Sequence, residues 1–171
     1  VTERELGNGK RAIDYFEKSI GQFEPYNLYL QLGTLYQSQG QLDKAEDSLR
    51  TFLSLGAEES LKTKAKYFLA VIAIRKNDVE KAEKLLDEVL SRDPKFERGI
   101  ILQGDIANFR GNESKAKEKW QKALDVTNDK LSRVNNKLSG EIKLEDLAEL
   151  RSQKERLTRH KKQITNKLEG L

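Results

Sequence analysis

An all-helical array of stacked helical hairpins is the fold this sequence predicts, and three observations carry it. Four alanines, Ala12, Ala45, Ala82 and Ala116, recur at intervals of 33, 37 and 34 residues. A period in the thirties denotes repeated supersecondary units rather than one globular core. Each alanine is followed four residues later by a bulky apolar residue (Phe16, Leu49, Leu86, Trp120) and eight later by another (Ile20, Leu53, Leu90, Leu124). Residues at i, i+4 and i+8 share one stripe of an α-helix, so each alanine marks a helix with a single buried face. A polar turn precedes each helix, Gly7-Asn8, Gly40-Gln41, Asn77-Asp78 and Gly111-Asn112, and a small residue lies twelve positions before the last three alanines: Gly33, Ala70 and Gly104. A small residue in the preceding helix lets two backbones approach closely, which makes the unit a hairpin.

The elements follow in order. Residues 1–24 read as a partial unit, with Val1–Leu6 ending a first helix and Lys10–Gly21 forming the second. Residues 25–58, 59–94 and 95–128 read as three complete hairpins, with Pro25 and Pro94, the only prolines, at junctions. The interval of 37 places about three extra residues in Gly56–Lys62, predicting a local offset. Beyond Trp120 the beat changes to heptads, with Leu124, Leu131 and Leu138 seven apart and Thr127 and Val134 between them. One long helix is expected from about Ser114 to Leu138, ended by Ser139-Gly140. A second helix follows, carrying Leu147, Leu150, Leu157, Ile164 and Leu168 on one stripe. Residues 129–171 thus form an antiparallel hairpin suited to capping the array. Lys154 and Lys161 fall within the second stripe, which predicts loose packing of the terminal turns.

Tyr29, Leu32, Gly33, Tyr36, Gly40 and Ala45, with Leu42 and Leu49, follow a known pattern closely: this chain resembles the tetratricopeptide-repeat family. Leu69, Ala70, Ala82, Leu86 and Asp93-Pro94 look like the next repeat. Ile100, Gly104, Ala107, Gly111, Ala116 and Trp120 look like the one after. Lys66, Ala73 and Gln103 depart from the pattern without breaking it. The resemblance covers about three quarters of the chain and implies a right-handed α-solenoid whose first helices line a concave groove. It assigns Leu30, Thr34 and Gln37, then Tyr67, Val71, Ile74 and Arg75, then Ile101, Asp105 and Phe109 to that groove, along with Asn27, Ser38, Lys64, Arg98 and Asn108. The family's lysine–asparagine clamp for a carboxyl terminus would sit at Leu30/Thr34, Tyr67/Val71 and Ile101/Asp105, so it is absent. An apolar or amphipathic protein segment is the expected partner.

The chain has 171 residues, 35% of them charged, with no cysteine and one histidine. Disulfides and thiolate metal sites are therefore excluded, while cytoplasm and bacterial periplasm both remain compatible. No run of 18 apolar residues could span a membrane. Val1 falls inside a repeat, so the chain is expected to be a fragment of a longer protein. The net charge of +4 comes from residues 129–171, with 11 basic and 7 acidic residues; residues 1–128 balance.

No catalytic constellation emerges. His160 stands among Arg159, Lys161 and Lys162 and reads as a solvated surface residue. Glu80–Lys84 and Glu145–Glu149 read as solvated helix faces. Gly7-Asn8-Gly9-Lys10-Arg11-Ala12 fits a loose phosphate-binding pattern, but Thr2-Glu3-Arg4-Glu5 is not the apolar strand that such a loop requires. Asn112-Glu113-Ser114 matches a glycosylation acceptor but sits on a repeat turn. No enzyme activity, cofactor or metal is expected. The leading function is a protein-binding scaffold. The alternatives are an acidic-surface or nucleic-acid binder using Arg151, Lys154, Arg156, Arg159, Lys161 and Lys162, and an oligomerisation or linker module built on the hairpin. Nucleic acid is disfavoured because no aromatic residues interleave with these charges.

Overall fold

The computed structural model describes residues 3–20, 26–56, 58–140 and 144–170. Gly21, Pro25 and Ala57 lie outside them, as does the side chain of Ile20. Among the described residues the chain is eight α-helices: α1 (Glu3–Ile20), α2 (Tyr26–Ser38), α3 (Leu42–Ser54), α4 (Glu59–Arg75), α5 (Val79–Arg92), α6 (Glu97–Phe109), α7 (Glu113–Leu138) and α8 (Leu144–Glu169). They divide into two compact units, Val1–Asp93 and Pro94–Leu171.

Within each hairpin the turn chemistry places the break. Gly40, Asn77 and Gly111 adopt φ of 75°, 66° and 75°. This left-handed conformation suits glycine and is tolerated by asparagine. The next residue then donates its backbone N–H across the turn, Gln41 to Tyr36 O, Asp78 to Ala73 O and Asn112 to Ala107 O, each at 2.9 Å. These bonds satisfy carbonyls that the ending helix leaves unpaired. Asp78 and Asn112 in turn cap the following helices by accepting from Lys81 N and Lys115 N at 3.0 Å.

The small residues sit at the closest contacts, as the spacing predicts. A Cβ added to Gly33 would lie 2.6 Å from Leu49 Cγ, and one on Gly104 would lie 2.4 Å from Trp120 Nε1. Ala45, Ala82 and Ala116 are fully buried. In the first unit Phe52, Leu49, Ile72 and Leu86 are also sealed from solvent, each contributing about 1.5–3 kcal/mol. Glu46, on α3, accepts from Lys76 and Lys81 at 2.7 Å and from Arg50 at 2.8 Å. It thereby ties α3 to the α4–α5 turn.

Three expectations are corrected. Gly7-Asn8 is not a turn, because α1 runs continuously from Glu3 to Ile20. Neither residue takes the left-handed φ with which Gly40, Asn77 and Gly111 break their helices, so the helical backbone continues through them. Gly9 is also buried in that helix, its Cβ position only 2.3 Å from Gln39 Nε2. Second, the extra residues after Gly56 do not make a loop offset: α4 has 17 residues against 13 in α2 and in α6, so they form another helical turn. Third, the terminal turns of α8 pack firmly. Ile164 is fully buried and Leu157 nearly so, while Lys154 and Lys161 stay in solvent beside the seam. The long alkyl stems of lysine let the charge leave a packed stripe without opening it.

In the second unit α7 and α8 each have 26 residues, roughly 39 Å. Thr127 and Val134 form the buried line of α7, whereas Leu124, Leu131 and Leu138 are half-buried. The Thr127 hydroxyl donates to Ala123 O at 2.8 Å, which removes the cost of burying it.

Candidate functional site

The first unit brings two of the three expected stripes side by side. Leu30, Thr34 and Gln37 recur at i, i+4 and i+7 on α2; Tyr67, Val71 and Ile74 do the same on α4. All six are half-buried. Arg75, exposed at the end of α4, donates through Nη1 to Gln37 O at 2.8 Å and locks the two helix ends together. Thr34 Oγ1 donates to Gln31 O at 2.8 Å, so it faces outward without an unpaired hydroxyl. Tyr67 packs its ring on Phe68 with centroids 5.5 Å apart. Leu30, Tyr67, Val71 and Ile74 are the half-buried apolar residues of these two stripes, and Leu30 also packs against the core of the first unit.

The second unit treats its share differently. Glu97, Ile101 and Asp105 lie four residues apart on α6, one stripe, and that stripe faces α8. Asp105 Oδ1 accepts from Trp120 Nε1 at 3.0 Å and from Lys167 Nζ at 2.7 Å, and Lys167 Nζ lies 5.3 Å from the Trp120 ring centroid. Glu97 is 7% exposed and accepts from Lys130 Nζ at 2.8 Å, with His160 Nδ1 2.6 Å from its other oxygen. Helical spacing sets half-buried Ile101 midway between these pairs, as Ile164 lies midway between His160 and Lys167 on α8. Asp105 therefore serves the α6–α8 contact. Phe109 is 77% exposed at the end of α6.

His160 is thus corrected from a solvated residue to the partner of a buried carboxylate. Its neighbours Arg159, Lys161 and Lys162 are exposed, but His160 lies on the inward flank of α8. Glu97 and Lys130 were not singled out by sequence reasoning either; their partners lie 33 and 63 residues away, beyond any local pattern. Burial pushes the Glu97 carboxyl up, but hydrogen bonds from Lys130 and His160 outweigh it and hold it below the usual carboxylate range. The basic candidates Arg151, Arg156, Arg159 and Lys162 are all exposed, as are Lys154 and Lys161.

Among the described residues no helix is long and apolar enough to cross a membrane, and no group of histidine and carboxylate side chains could hold a metal ion.

Comparison with known proteins places this geometry. The family profile described as a tetratricopeptide repeat-like domain matches residues 3–149. Tetratricopeptide repeat protein 21B of Xenopus laevis is 29% identical over 117 residues, 68% of this chain and 9% of that protein. The ancillary SecYEG translocon subunit of Buchnera aphidicola subsp. Acyrthosiphon pisum (strain APS) is 32% identical over 114 residues, 64% of this chain and 58% of that protein. The matches therefore span less than two thirds of either relative. Among solved structures, a crystal structure of MamA superposes with a TM-score of 0.61 at 18% identity, covering 98% of this chain and 93% of the other. MamA 41-end from Desulfovibrio magneticus RS-1 gives 0.60 at 17% identity, covering 95% and 86%. These likenesses show the fold: all-α, helices packed in hairpins of tetratricopeptide-like form.

Proposed function

This chain belongs to the tetratricopeptide repeat-like family, and we propose that it is a non-catalytic adaptor that binds an apolar or amphipathic protein segment on the α2–α4 face. The observation that carries this reading is the pair of adjacent stripes, Leu30–Thr34–Gln37 and Tyr67–Val71–Ile74, joined by Arg75 and left half-open. A face of this composition gains from desolvation on binding, and its polar rim orients the ligand. The lack of a Lys–Asn clamp on it favours side-chain anchors over a carboxyl terminus. The only histidine is committed to Glu97, and the chain has no cysteine, so neither supplies a nucleophile–base pair. The Buchnera relative is described as an ancillary subunit of a translocon, and an ancillary part in a larger assembly fits an adaptor.

A photocrosslinking residue at Thr34 should capture a partner polypeptide from a native extract. Changing Tyr67 and Ile74 together to Ala should lower that capture about 30-fold with helicity unchanged, since central apolar anchors carry about 2 kcal/mol or more. Capture that survives the double change would place the site elsewhere.

A further inference from the structure

The cations of α4 sort by flank. The helix carries Lys62, Lys64, Lys66 and Arg75 against a single carboxylate, Glu59. Lys62 pairs with Glu59 at 3.0 Å, and Lys66 pairs with Glu88 of α5 at 2.5 Å. Lys64 and Arg75 stand elsewhere: they share a line with Val71 to within about 40° around the helix, whereas Lys62 and Lys66 lie roughly 160° from Lys64. Both are exposed, and among the described residues neither forms an ion pair. Arg75 makes its one hydrogen bond to a neutral carbonyl, Gln37 O. The opposite wall adds nothing to balance them. Tyr26–Ser38 of α2 contains no charged residue, in a chain that is 35% charged. Burial is not the reason, since Asn27, Gln31 and Ser38 are exposed. The α2 and α4 stripes therefore carry two cations and no anion.

We propose that the occupant of the α2–α4 face is an acidic amphipathic helix of a partner protein, with a carboxylate near each end of its apolar side; this rests on the reading of that face as the binding site. Lys64 and Arg75 are 11 residues apart, about 16.5 Å along α4. A helix laid along α4 thus meets them with carboxylates about three turns apart, and sets the side chains between on Tyr67, Val71 and Ile74. Arg75 spends one donor on Gln37 O and keeps others for a carboxylate. A helix suits the site better than an extended segment. Both walls are helices with internally bonded main chains, so a strand would find no matching row of donors and acceptors, while a helix satisfies its own. A basic segment would set like charges together at both ends of the face.

The test uses the intact chain and a phage-displayed library of random peptides about 16 residues long, enough for a helix to reach from Lys64 to Arg75. Selected peptides should be enriched in Asp or Glu about 11 positions apart. By anisotropy, their binding should weaken as salt is raised and should fall about fivefold in Lys64→Glu, an exposed position whose change leaves helicity intact. Replacing the peptide's matching carboxylate with lysine should restore binding to Lys64→Glu and weaken it to the parent. Peptides that depend on Tyr67 and Ile74 but show no acidic enrichment and no loss in Lys64→Glu would overturn the proposal while leaving the α2–α4 site standing. Selected peptides that all bind undiminished to the Tyr67→Ala, Ile74→Ala double variant would overturn the site itself, and the proposal with it. Sedimentation showing self-association that Lys64→Glu abolishes would also overturn it, by making a second copy the occupant.

Discussion

Gly104→Ala sets two effects of opposite sign against each other in one residue. Alanine is the better helix former, and at an unconstrained interior position the change would stabilise the chain by about 1 kcal/mol. Gly104 is not unconstrained: the added Cβ would sit 2.4 Å from Trp120 Nε1, 2.5 Å from Cδ1 and 3.2 Å from Cε2. These atoms belong to a rigid indole that cannot yield by rotating a terminal methyl. Overpacking of this kind costs about 1–3 kcal/mol. Moving the ring also strains the Nε1 hydrogen bond to Asp105 and the seat of Lys167, adding about 1 kcal/mol for a bond lost. Sterics and the hydrogen bond outweigh propensity, and the expected balance is a loss of about 1–3 kcal/mol. Urea unfolding followed by Trp120 fluorescence measures it directly, since Trp120 is the only tryptophan. A variant as stable as the parent, or more so, would refute the argument that glycine is needed for the α6–α7 approach.

Two further outcomes follow from the charged groups. Glu46 is held down to about 2 chiefly by hydrogen bonds from Lys76 and Lys81; its folded-state value lies below its unfolded one, so its contribution is present above about pH 4.5 and is lost as pH falls toward 2. Glu46→Gln should cost about 1 kcal/mol at neutral pH, the partly exposed lysines weakening the pairs, and should flatten the acid limb of the stability profile; an unchanged acid limb would refute the assignment. Changing Arg156, Arg159 and Lys162 to Gln should leave the melting temperature within about 1 °C of the parent, because exposed charges are screened, whereas Lys167→Gln should lower it by several degrees. Equal effects would show that the α8 pairing with Asp105 adds nothing, and salt-sensitive nucleic-acid binding lost in the triple variant would favour a basic-surface function.

Periodic features were legible in the sequence because their causes are local. The Ala-x3-bulky stripes, the turn residues Gly40, Asn77 and Gly111 and the small residues at Gly33, Ala70 and Gly104 encode helix, break and close approach within a few residues of one another. The end of α7 near Leu138 and the return of α8 were readable for the same reason. The α2–α4 stripes could be named from the repeat pattern, since i, i+4 and i+7 spacing identifies a helix face without knowing what lies against it.

Only the tertiary structure decided what each face meets. Gly7-Asn8 has the composition of the other turns, yet α1 runs through it and sets Gly9 against Gln39. His160 sits in a basic run that reads as solvent-facing, but its flank of α8 meets Glu97, 63 residues away. Asp105 occupies a repeat position assigned to a groove, and Lys167 of α8 takes it. Sequence alone determined the helices and the stripe each one presents, through spacing along a single backbone. Which stripe is covered, and by which partner, depends on contacts between residues distant in the chain, and no local period records those.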